Sequence, residues 1–261
     1  MMIVVVPVAA LVVDANYITA CASSAQAFKT ATLLKTLNVN SLIIGEVGVG
    51  KRTLAHYILP DAPILDASNY DELLTTLESV NKIVITNLEN SPNIKKILEI
   101  LISKNIRVIA TAKNLYYNRD ADKFFSVKFE IPPLSDRPED VEELIKKFIK
   151  EASLLFSSKD GFKVKNFKPD LSQNANSLRR QVMINYLLQD IREEELMDIV
   201  QNYLVDRLGS NSDYKNFLHL YEVPMIKAGL QRFKSQLQLS DKLGLNRNTL
   251  RKKMFDNSKY L

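Results

Sequence analysis

Two short stretches of this chain carry residue types at spacings that do chemistry on phosphates. The first is Gly45-Glu46-Val47-Gly48-Val49-Gly50-Lys51-Arg52-Thr53, where three of the seven glycines fall within six residues and a lysine follows at once. Glycines so placed let successive backbone N–H groups curl around phosphate oxygens. A following helix adds the positive end of its dipole, and Lys51 neutralises the β- and γ-oxygens. The pattern is the P-loop, G-x-x-x-x-G-K. Arg52 stands where many such loops place the hydroxyl that touches magnesium, and Thr53, one residue later, is the substitute on offer. The ligand implied is ATP or ADP, with Mg2+ if ATP.

The second stretch is "LQLSDKLGLNRNTLRKK", Leu237 to Lys253. A helix with apolar Leu237, Leu239 and Leu243 runs into Gly244, and after a turn Asn246 serves as N-cap of a second helix. This is the helix-turn-helix pattern. The second helix carries Arg247, Asn248, Thr249, Arg251, Lys252 and Lys253, donors suited to phosphate oxygens and to the acceptors on purine edges. Arg247, Asn248 and Arg251 are expected at or near bases; Thr249, Lys252 and Lys253 are expected on phosphate. Leu250 and Met254 hold the helix against the first. From Met225 to Leu261 nine Lys or Arg stand against two Asp, a local charge of +7 in a chain whose total is +5. So concentrated a charge points to double-stranded DNA, bound in a salt-dependent way.

These residues need a scaffold, and the hydrophobic pattern supplies one. An initial strand within "MIVVVPV" and a helix with Ala27, Phe28, Ala31, Leu34 and Leu37 precede a strand at Leu42 to Ile44. Strands at Pro63–Leu65, Ile83–Ile85 and Arg107–Thr111 then alternate with helices at Asp71–Leu77 and Ile94–Ser103, an order that argues a parallel α/β sheet. After Pro133 the pattern is helical. Arg137-Pro138 opens a helix with Val141, Leu144, Ile145, Phe148, Ala152 and Leu155 on one face, and a Lys- and Asn-rich connection, Ser157 to Asn176, leads to another through Leu187 and Ile191. "LGSNSD" from Leu208 is the clearest linker. Residues 1–134 are expected to form the α/β P-loop domain, 135–208 a helical lid, and 213–261 the DNA-binding module. Pro224 suits the first turn of a helix in that module, with Phe217, Leu220, Val223, Ile226 and Leu230 around it as core or dimer face.

An ATPase of this kind also needs a carboxylate at the end of a second buried strand. In "KIVITNLENSP" the residues after Ile83, Val84 and Ile85 are Thr86 and Asn87, and neither is a base. Glu89 is the nearest carboxylate, expected on a solvated turn. Nucleotide binding with weak or absent hydrolysis is the consequence. Cys21 is the only cysteine, and His56 and His219 stand apart, so an intrachain disulfide and a histidine metal site are both excluded. Met1 to Val13 lacks a basic start and is too short to span a bilayer, so a cytoplasmic protein is expected, with no membrane partner.

With these pieces in place the chain resembles the bacterial enhancer-binding proteins, the sigma-54-dependent activators of the nitrogen-regulator type, whose AAA+ domain precedes a Fis-type helix-turn-helix. "GEVGVGK" is similar to their "GESGTGK", a family that also lacks the Ser or Thr after the Lys. "IRVIATAKNL" from Ile106 is similar to their sensor strand "VRIIAATNRDL", and "IPPLSDRPEDVEELIKKFI" from Ile131 to "LPPLRERPEDI" at the start of their lid. Ser177, Leu178 and Arg179 fall at their "GNVREL". "YEVPMIKAGL" from Tyr221 and "LGLNRNTLRKKM" from Leu243 match their DNA-binding end.

The resemblance implies an AAA+-like sheet, a lid in which Arg179 or its neighbour Arg180 touches the γ-phosphate, a homodimer through the C-terminal module, and a higher oligomer through the AAA+ domain. The departures are equally specific. Only 34 residues separate Lys51 from Thr86, "GAFTGA", the loop that grips sigma-54, does not occur, and Thr86 and Asn87 replace the paired acids. The sensor Asn position holds Lys113 or Ala112, Phe124 lies near the arginine-finger position with Arg119 upstream, and with the P-loop in the first fifty residues no receiver domain is expected before it. The function implied is a DNA-binding transcriptional regulator whose degenerate AAA+ domain is a scaffold or nucleotide-responsive platform. The alternatives are an active ATPase remodelling a transcription partner and a Fis-like nucleoid-structuring protein.

Overall fold

The computed structural model describes residues 17–114, 116–156 and 167–261. The strand expected within "MIVVVPV" lies outside them. The chain divides into two compact units, Met1–Asp190 and Ile191–Leu261.

The first unit is built on a five-stranded sheet of order β2-β3-β4-β1-β5, in which every pairing is parallel. The strands are β1 (Ser41–Gly45), β2 (Ile64–Asp66), β3 (Lys82–Thr86), β4 (Arg107–Ala112) and β5 (Val127–Ile131). Helix α1 (Ala22–Thr36) precedes β1, and between the strands run α2 (Lys51–Ile58), α3 (Tyr70–Leu77), α4 (Ile94–Ser103) and α5 (Arg119–Phe124). The central strands read as unbroken apolar runs because both faces are covered. Alternate residues divide accordingly: Leu42, Ile83, Ile85, Val108 and Ala110 pack with Leu73, Leu77, Ile97 and Leu101 of α3 and α4. Ile43, Val84 and Ile109 pack on the other side with Ala27, Ala31 and Leu34 of α1 and with Leu54 and Ile58 of α2.

Asn93 caps α4, its side chain accepting from the Lys96 N–H, and Asn118 caps α5, accepting from the N–H groups of Asp120 and Ala121. Strand β5 was not expected. Its "VKFEI" alternates half-buried and exposed residues as befits an edge strand, a weaker signal than the buried runs.

Helices α6 (Pro138–Phe156) and α7 (Ala175–Leu188) follow the sheet as a helical pair, here called the lid, with Leu134, Val141, Phe148, Leu178 and Val182 in its core. Two apolar positions assigned to helix faces are instead exposed: Leu37, which ends α1, and Leu155 near the end of α6. Ile191 lies beyond α7, which stops at Leu188.

The second unit contains α8 (Glu193–Val205), α9 (Asp213–Phe217), α10 (His219–Phe233), α11 (Gln236–Lys242) and α12 (Arg247–Asp256). The division between the units falls before α8, upstream of the Leu208 linker. Helix α10 passes through Pro224 and does not start at it, because its first turn forms at His219. Ile226, Leu239 and Leu250 form the core of the last three helices, with Leu230, Phe233, Leu243 and Met254 around them. Leu237 is exposed and takes no part in that core.

Candidate functional site

The glycine-rich loop leaves β1 at Gly45 and enters α2 at Lys51. Gly48 and Gly50 have φ of 79° and 105°, backbone that other residues adopt only under strain, so the turn requires them. The loop is held from outside. A side chain at Gly48 would run into the Gln173 carbonyl, and the Ala175 N–H donates to the Gly48 carbonyl at 3.1 Å. The Asn174 amide donates to the Val47 carbonyl and to Glu46 Oε2, both at 2.9 Å, while its Oδ1 accepts from the Leu134 N–H at 2.7 Å. Val49 is buried; Glu46, Val47 and Arg52 are exposed.

Lys51 is buried and donates to the carbonyls of Gly45 at 2.5 Å and Glu46 at 2.6 Å. Burial holds its pKa below the ordinary lysine value, Glu89 opposes that, Lys113 adds to it, and Glu46 opposes it.

A second network ties the entry segment to the lid. Arg137 and Asp140 form an ion pair of 3.1 Å whose side chains are 3% and 1% exposed. Arg137 also donates to the Val49 carbonyl at 3.2 Å and to the Tyr17 hydroxyl at 3.3 Å. Asp140 Oδ1 accepts from the Cys21 N–H at 2.9 Å and from the Ser24 hydroxyl at 3.0 Å. Burial pushes the Tyr17 phenol up to about 12, with Arg137 working against it, so the group stays neutral. Beside this network lies a cavity of about 750 Å3 lined by Tyr17, Ile18, Gly50, Thr53, Phe148 and Arg179. Arg179 is half-buried and lines the cavity, whereas Arg180 is exposed. Arg179 is held by Glu151 of α6 through bonds of 3.0 and 2.5 Å.

At the end of β3, Thr86 and Asn87 are turned toward β2. The Thr86 hydroxyl donates to the Leu65 carbonyl at 3.2 Å, and the Asn87 amide donates to Asp66 Oδ2 at 2.5 Å. Burial works against the Asp66 charge, yet hydrogen bonds from Ser68, Asn87 and Thr86 outweigh it and hold the carboxyl below its usual range. These groups therefore satisfy one another and do not fit a magnesium shell. Glu89 corrects an expectation: it is not on a solvated turn. Its side chain is 16% exposed, Oε2 accepts from the Lys113 N–H at 3.3 Å, and Oε1, buried without a hydrogen-bond donor, lies 3.9 Å from Lys113 Nζ. A 3-10 turn at Leu88–Asn90, entered through Asn87 at φ 53°, swings it inward, a conformation no local spacing announces.

In the second unit the Asn246 side chain accepts from the Asn248 N–H at 2.9 Å and caps α12 as expected. Arg247, Asn248, Thr249, Arg251 and Lys252 are all exposed. Lys253 is different: it pairs with Glu222 of α10, and Asn257 donates to the same carboxylate at 3.5 Å. Six positions after the first basic residue, the helix has turned this side chain toward α10 and away from the face bearing Arg247 and Arg251.

No family model matches the chain. The crystal structure of NtrX from Brucella abortus in complex with ADP superposes with a TM-score of 0.60 at 16% identity, over 93% of this chain and 69% of that one. The complex of the same protein with ATP gives 0.58 at 17%, over 92% and 69%. The fold is that of the AAA+ P-loop proteins. The chain is 25% identical over 187 residues, 54% of its length, to the DNA-binding transcriptional regulator NtrC of Rhizobium meliloti (strain 1021). The chain spans only 37% of that relative's length. Among the described residues, no helix is long and apolar enough to cross a membrane.

Proposed function

We propose that this chain is a DNA-binding transcriptional regulator of the NtrC type, whose AAA+ unit binds ATP or ADP as a scaffold or signal, with weak or no hydrolysis. The observation that carries this reading is the capped helix α12, which offers Arg247, Asn248, Thr249, Arg251 and Lys252 to solvent on a core of three buried side chains. A recognition helix needs this arrangement: a fixed back and a free, donor-rich front. The absence of a carboxylate at Thr86 and Asn87 supports weak turnover.

Helix α8 supports a homodimer through the C-terminal unit. Leu196, Met197, Ile199, Val200 and Tyr203 are all exposed on it, and no residue of the helix is buried. A second copy of this chain would cover such a surface, and a pair of reading helices would then address successive major grooves.

The test is selection of bound fragments from a random DNA pool by the whole protein at near-physiological salt, with and without ATP. A discrete, roughly palindromic motif supports the regulator; a salt-sensitive preference for flexible DNA with no motif would sink it in favour of a nucleoid-structuring protein. Arg251→Ala should lower discrimination between sequences by about 1–3 kcal/mol at one position of the motif.

Salt dependence separates the two adjacent lysines. Lys252→Ala is expected to reduce the slope of log binding constant against log salt by about 1, whereas Lys253→Ala leaves the slope unchanged because its charge is spent on Glu222. Equal slopes for the two variants would remove Lys252 from the phosphate contacts.

A further inference from the structure

The residues at the end of β3 do not fit a magnesium ion, yet the P-loop has a second cation that the nucleotide-binding reading does not use. Ile44 of β1 pairs with Ala112 of β4, so Lys113 leaves the sheet beside Gly45, where the phosphate loop begins. Lys51 follows the loop itself, and the charges of Lys113 and Glu89 are both felt at its ammonium. Glu89 lies against Lys113 from the neighbouring strand end, its Oε1 covered and lacking a donor. Glu89 is thus a part-buried carboxylate held against Lys113, at the end of the sheet from which the loop leaves.

We propose that the loop binds the terminal phosphates of a nucleoside triphosphate through Lys51 and Lys113 without a magnesium ion, and that Glu89 is the internal anion which phosphate replaces. The inference rests on the nucleotide-binding reading above. A metal ion at a P-loop screens the charge between β- and γ-phosphates. Lys113 supplies one positive charge at the same end of the sheet, on a side chain exposed enough to swing. Asp66 does not fit as the missing ligand, because Ser68 donates twice to its Oδ1 and Asn87 donates to its Oδ2. The cost of the arrangement is repulsion between Glu89 and an incoming triphosphate, so the carboxylate and the nucleotide compete for the lysines.

The experiment is calorimetric titration of the whole protein with ATP and with ADP, in buffer containing either EDTA or excess magnesium. The dissociation constant for ATP should agree within about twofold between the two buffers. Lys113→Ala should weaken ATP at least about tenfold in both buffers and ADP by less, because the lysine serves the terminal phosphate. Glu89→Gln should tighten ATP about threefold, also in EDTA. Binding that weakens more than about tenfold on chelation, or a Glu89→Gln variant that loses a magnesium-dependent gain, overturns the inference and makes Glu89 a metal ligand. An absence of heat with either nucleotide in either buffer, indistinguishable from Lys51→Ala, overturns the nucleotide reading itself and the inference with it.

Discussion

Replacing Asp140 with alanine is expected to destabilise the first unit by about 3–5 kcal/mol, because it leaves the Arg137 guanidinium buried without its counter-charge. The pair as a whole contributes little against a well-packed apolar alternative; the loss comes from breaking one half of it. Both side chains are within 3% of complete burial. The deletion also strips the acceptor from the Cys21 N–H, while the Ser24 hydroxyl keeps the Cys21 carbonyl at 2.8 Å. Asp140→Asn keeps an acceptor and removes only the charge, and should fall between the alanine variant and the parent. The measurement is the urea midpoint of each variant with the slope held in common. A shift worth less than about 1 kcal/mol for the alanine variant would show that water enters and solvates Arg137, and would refute the clamp.

Leu239→Ala is expected to unfold the last three helices, and with them to abolish the proposed DNA binding, while leaving the sheet intact. Leu239 is fully buried, packs with Ile226 and Leu250, and closes directly onto Gly229, where even a methyl group would collide with it. A Leu→Ala change in such a site costs about 2–5 kcal/mol. Three fully buried apolar side chains form the core of this helical trio, so the loss removes a large part of its packing. Hydrogen exchange of the whole protein reads the outcome: amides of α11 and α12 should lose protection, while those of β1, β3 and β4 keep it. Retained protection in α12 together with lost DNA binding would mean that Leu239 acts on the interface and not on the fold.

Much of this architecture is legible in the sequence, for identifiable reasons. Strands β1, β3 and β4 are buried on both faces, so their signal is a short apolar run, Leu42–Ile44, Ile83–Ile85 and Val108–Ala110, without polar alternation. The glycine loop and the capped helix α12 announce themselves through local backbone requirements. Strand β5 is less visible because it lies at the sheet edge with alternate residues exposed. Helix α8 carries Leu196, Ile199, Val200 and Tyr203 at three- and four-residue spacing but buries none of them, so its apolar stripe points to no packing partner among the described residues.

The site was legible only where it is local. The Arg137–Asp140 clamp joins residues more than a hundred positions from Tyr17 and Ser24, and spacing carries no trace of such a partnership. Glu89 depended on a left-handed Asn87, a conformation that asparagine tolerates but does not require. Lys253 looked like one more basic residue in a run; only its helical phase against Glu222 sets it apart.

The three glycines of the phosphate loop are each closed by a different neighbour. Gly45 meets Ile131 of β5, Gly48 meets the Gln173 carbonyl ahead of α7, and Gly50 meets the Tyr17 ring of the entry segment. Sheet, lid and entry strap therefore each exclude a side chain from one position, whether or not a phosphate is ever bound. The glycine spacing is thus a steric property of the assembled unit, and a descendant that had abandoned nucleotides altogether would still have to write the same three letters there. In such a chain the charge of residue 51, and not the glycines that precede it, is the character that tracks the chemistry.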